Sequence, residues 1–85
     1  MSTLEDAATG VQAAIDSLDQ ARTALAAAAD ELESAVGQFT AVGVTDHVEA
    51  ASSLKDDVDS LAGSVASLHD TAEEIQGRII ALSGG

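Results

Sequence analysis

Every seventh residue from Leu4 onward is apolar: Leu4, Val11, Leu18, Leu25, Leu32 and Phe39. A second series, Ala8, Ile15, Arg22, Ala29 and Val36, fills the alternate places, so apolar groups recur at the four-three spacing of one helical stripe. Beside them runs a line made only of alanine: Ala7, Ala14, Ala21, Ala28 and Ala35. Alanine is the best helix former and is small enough to admit a close neighbour. The stripe runs unbroken by proline, and it predicts a helix over about 3–40. Ser2 with Glu5 three residues later forms a capping-box pattern at its start, and Glu5 and Asp6 suit the positive end of the helix dipole.

The stripe stops in G-Q-F-T-A-V-G-V-T, residues 37–45. Gly43 is the expected left-handed helix stop, with Thr45 or Asp46 capping the second helix. The turn is expected over 41–45 and the second helix over 46–82. That helix carries Leu54, Leu61, Leu68, Ile75 and Leu82, alternating with Ala51, Val58, Val65, Ala72 and Ile79. It closes on S-G-G, with Arg78 in the expected last turn. Two helices of similar length joined by a short turn form an antiparallel hairpin. The predicted fold is all-α, one helical-hairpin domain over 1–85.

A chain of 85 residues with no cysteine and one aromatic, Phe39, has few means of stabilising itself. Disulfides and thiolate metal sites are excluded, and such small cores seldom exceed ~3–5 kcal/mol without help. Pairing two hairpins into a four-helix bundle would cover the alanine line, so the sequence predicts a homo-oligomer or a helical protein partner. The expected interface is Ala7, Ala14, Ala21, Ala28 and Ala35 with Leu25, Phe39 and Arg22. Arg22 is the one cation in the seam, expected to snorkel or to pair with Asp19 and mark the register.

Fifteen acids face three bases, a formal net charge of −12. That balance argues against direct nucleic-acid binding and against anionic membrane surfaces. It fits a solvated exterior, a salt-adapted protein like those of halophiles, or an acidic decoy that mimics nucleic acid or docks on a basic partner. The longest apolar run, Ala24 to Ala29, is far short of a membrane span, and the N-terminus lacks the pattern of a signal peptide. The expected location is cytoplasmic, with signal-less export as the alternative.

No residue pattern points to an enzyme. G-x-S-x-G, glycine-rich phosphate loops and G-x-G-x-x-G are all missing. His69 and Glu73 share a helix face at i, i+4, and His47 lies near the turn with Asp46 and Glu49. The two histidines stand about 33 Å apart along one helix and cannot meet within a monomer. Both are read as surface histidines, with no metal, cofactor or catalytic site.

In length, paired helices and mid-chain turn, the chain resembles the small helical-hairpin substrates of type VII secretion, a family marked by a W-x-G turn. Here the turn is F-T-A-V-G, and no Tyr-x-x-x-Asp/Glu follows the second helix. The resemblance implies a small exported hairpin. The segments A-D-E-L-E-S-A-V-G-Q-F and S-L-H-D-T-A-E-E-I are also similar to coiled coils of chemotaxis transducers, without the signalling tip.

Overall fold

A computed structural model describes residues 3–84. Two α-helices of 40 residues each, α1 (Thr3–Val42) and α2 (Thr45–Gly84), pack antiparallel along their full length into a rod of 63 × 16 × 12 Å. The predicted hairpin is the observed fold. Ser2 of the expected capping box lies outside the described residues.

The turn is tighter than expected, reduced to Gly43 and Val44. Gly43 adopts φ 76°, the left-handed conformation that a Cβ penalises. Its N–H donates to the Thr40 carbonyl at 3.2 Å, while the Val44 N–H donates to the Phe39 carbonyl at 3.1 Å. This pair of bonds is the Schellman stop, which satisfies two carbonyls at the end of α1. The Val44 carbonyl then accepts the Val48 N–H at 3.1 Å, so Val44 holds the capping position expected of Thr45 or Asp46. Phe39 and His47 stack across the turn in tilted geometry, centroids 5.1 Å apart. At the other end α2 continues to Gly84, so Arg78 falls before the last turn rather than in it and pairs with Glu74 at 2.6 Å.

On α1 the predicted stripe faces inward. Leu4, Ala8, Val11, Leu18, Leu25, Ala29, Leu32, Val36 and Phe39 are half-buried around a buried Ile15. On α2 the inward line is Ala51, Lys55, Val58, Ala62, Val65, His69, Ala72, Gln76 and Ile79. The leucine series is not in it. Among the described residues only Ile15, Ala51 and Val65 are buried, so the hairpin's own core is thin.

The candidate interaction face

Two side-chain contacts fix the register of the helices. Gln76 Nε2 donates to Gln12 Oε1 at 2.8 Å, and His69 Nε2 lies 2.9 Å from Asp19 Oδ1. Both contacts obey one alignment. That alignment sets Ala7, Ala14, Ala21, Ala28 and Ala35 level, within one residue, with Leu82, Ile75, Leu68, Leu61 and Leu54.

The two lines also share a side of the rod. An open groove on one side is lined by Arg22, Thr23, Ala26, Ala29 and Glu33 from α1 and by Asp59, Ala62, Gly63 and Ala66 from α2. At about 100° per residue, Ala21 stands about 200° around α1 from Thr23, and Leu61 about 200° around α2 from Gly63. Both lines therefore emerge opposite the groove. Leu54, Leu61, Leu68, Ile75 and Leu82 are 43% to 70% exposed there, an apolar ridge running the length of α2. Such a strip is unusual on a monomer's surface.

Charge is distributed unevenly between the two sides. Asp19, Asp30, Glu33 and Asp59 line the groove, and Lys55 joins them there, 3.0 Å from Asp59. The Lys55 ammonium is held above its ordinary value of 10.5, first by its hydrogen bond from Nζ to Asp59 and then by the Asp59 charge. On the apolar side the neighbours are mostly small: Gly10, Ser17, Ala24 and Gln38 on α1, with Glu31 among them, and Ser53, Ser60 and Ser67 on α2, with Asp57 beside Leu54 and Leu61. Glu74 and Arg78 on that side neutralise each other.

The residues expected at an interface separate in the structure. Ala7 and Ala14 are exposed, while Ala21, Ala28 and Ala35 are half-covered by α2. Leu25 and Phe39 face into the hairpin, and Arg22 is exposed at the groove rim. Asp19, one turn before Arg22, faces His69 instead. Reading both apolar series of α2 as one inward stripe missed the leucine ridge. The same four-three spacing does face inward on α1, so spacing alone did not separate the two lines of α2.

His69 departs from the expectation of a surface histidine. Its side chain is 12% exposed and wedged between the helices, because position 69 belongs to the inward line. No helix among the described residues is long and apolar enough to cross a membrane. Compared with known proteins, the chain matches no family model, no curated protein and no solved structure.

Proposed function

We propose that this protein is a non-enzymatic assembly module that pairs with a second copy of itself through its leucine–alanine face, forming a four-helix bundle. The observation that carries the reading is the level pairing of five exposed Leu/Ile residues on α2 with five alanines on α1. A ridge beside a shallow channel is self-complementary. Turned about a two-fold axis, each leucine line lies along the partner's alanine line.

Energetics favour the same arrangement. A core of three buried residues leaves the isolated hairpin close to the stability limit of small domains. Taking a Leu from full exposure to full burial contributes roughly 1.5–3 kcal/mol, and the ridge residues, 43% to 70% exposed, have about half of that left to gain against the entropy of association. The net charge of −12 opposes self-association, but the acids lining the groove are turned away from the contact. A basic partner for that groove is a weaker reading, since Arg22 and Lys55 interrupt its acids.

Sedimentation equilibrium of the full chain, from micromolar to millimolar and at low and high salt, tests the proposal. The expected species has twice the monomer mass. Leu61→Glu with Leu68→Glu should return it to monomer with helical circular dichroism retained, because both side chains are exposed in the hairpin. A wild-type monomer throughout, or a double variant that still dimerises, overturns the reading.

A further inference from the structure

The ring of His69 sits in an arrangement that the helix packing alone does not explain. Its Nε2 lies 2.9 Å from Asp19 Oδ1, across the interface between the helices. Asp19 occupies the Nε2 side of the ring, so any further ligand would have to meet Nδ1. Glu73 Oε1 is 3.1 Å from Nδ1 and Asp70 Oδ1 is 3.9 Å from it. The Glu73 contact lacks hydrogen-bond geometry, and Nδ1 is buried with no hydrogen-bond partner. Nδ1 therefore converges with two carboxylates without a hydrogen bond to either, an arrangement that a cation held between them would satisfy.

We propose that His69 Nδ1, Asp70 and Glu73 bind a divalent transition-metal ion, with Asp19 as the positioning residue on the far side of the ring. The ligand atoms lie within 4.8 Å of one another. Metal–ligand bonds of about 2.0–2.1 Å in a tetrahedral site set the donor atoms about 3.3 Å apart. The 3.1 Å between Nδ1 and Glu73 Oε1 is already close to that edge. Asp70 must close in from 3.9 Å, which a carboxylate 82% exposed does by rotation.

The donor set selects the class of ion. One imidazole with two carboxylates suits Zn²⁺ and its neighbours better than Mg²⁺ or Ca²⁺, which prefer oxygen throughout. Two carboxylates also neutralise the ion, leaving the remaining coordination position to water. Asp19 supplies the carboxylate–histidine pairing that fixes the tautomer and points Nδ1 at the metal. The three ligands are all on α2, so a bound ion would reach α1 only through the His69–Asp19 contact, midway along the rod. The site lies on the groove side, away from the leucine ridge, and does not depend on dimerisation.

Calorimetric titration of the full chain with Zn²⁺, in enough salt to screen the acidic surface, tests the site. One ion per chain is expected, undisturbed by excess Ca²⁺. Co²⁺ should give the visible absorption of a low-symmetry nitrogen–oxygen site. Glu73→Gln and Asp70→Asn change exposed positions and should fold normally, yet each should abolish or severely weaken binding. His47→Gln should leave binding unchanged. Asp19→Asn should weaken it about 10–100-fold while keeping one ion per chain. Absent binding, loss of binding to Ca²⁺ competition, or binding undiminished in Glu73→Gln would overturn the proposal.

Discussion

Gln76 donates a 2.8 Å hydrogen bond to Gln12, sixty-four residues away, and so ties the last third of α2 to the first third of α1. The Gln12 amide nitrogen is used as well, donating to Asp16 at 3.0 Å. A one-turn slip would break the bond and move every leucine away from its alanine. Gln76→Ala and Gln12→Ala should each lower stability by about 0.5–1.5 kcal/mol. Because they share one bond, the double variant should lose less than the sum of the two. Thermal unfolding at one fixed protein concentration reads this out, since dimerisation would otherwise shift the midpoint.

The thin core predicts unequal sensitivity to truncation. Ile15 is the one buried residue of α1 among those described, and Ile15→Ala should cost about 2–5 kcal/mol. That is comparable to the whole stability of a domain this small, so the variant should be largely unfolded by circular dichroism. Ile15→Val should lose only about 0.5–1.5 kcal/mol and stay folded. If Ile15→Ala melts like wild type, the core lies elsewhere.

Glycines divide into one that the fold needs and several that it does not. Gly43 has φ 76°, so Gly43→Ala should destabilise by about 1–2 kcal/mol despite open space around it. Gly10 and Gly77 lie inside helices, and a Cβ at either meets nothing within 4 Å. Gly10→Ala and Gly77→Ala should each stabilise by about 0.5–1 kcal/mol through helix propensity alone. Urea melts of the three variants would show opposite signs.

The hairpin was legible because its signals are local and mutually consistent. Seven-residue spacing over Leu4–Phe39 gave the inward face of α1, and Gly43 in an apolar turn gave the reversal. What could not be read was which of two adjacent apolar lines on α2 faces α1. Leu54 and Lys55 are neighbours on the helix, and hydrophobicity alone favours the leucine inside. The hairpin instead places Lys55, Ala62, His69 and Gln76 on the inward line. These choices depend on pairing across the chain, Gln76 with Gln12 and His69 with Asp19, which no single-helix periodicity contains. The cluster of His69, Asp70 and Glu73 was hidden for the same reason. Its i, i+4 pair was visible in sequence, but the burial of the ring and the carboxylate behind it come from the other helix.

Lys55 offers an unusually clean test of the inward line. It is the only lysine, and the chain has no tyrosine and no cysteine. Between the α-amino group and arginine, nothing else titrates at alkaline pH. The hydrogen bond to Asp59, the Asp59 charge and, more weakly, Glu33 on α1 hold the folded ammonium above 10.5. A group whose folded value is raised binds its proton more tightly in the folded state. Its stabilisation is therefore complete below 10.5 and is lost as pH rises through the raised folded value. Stability should be flat in mildly alkaline buffer and then fall as that single proton is lost. Lys55→Met keeps the apolar stem without the charge, so it should remove the fall and leave the rest of the profile intact. Urea melts at stepped pH would check it, and the same decline in Lys55→Met would mean that another group is responsible.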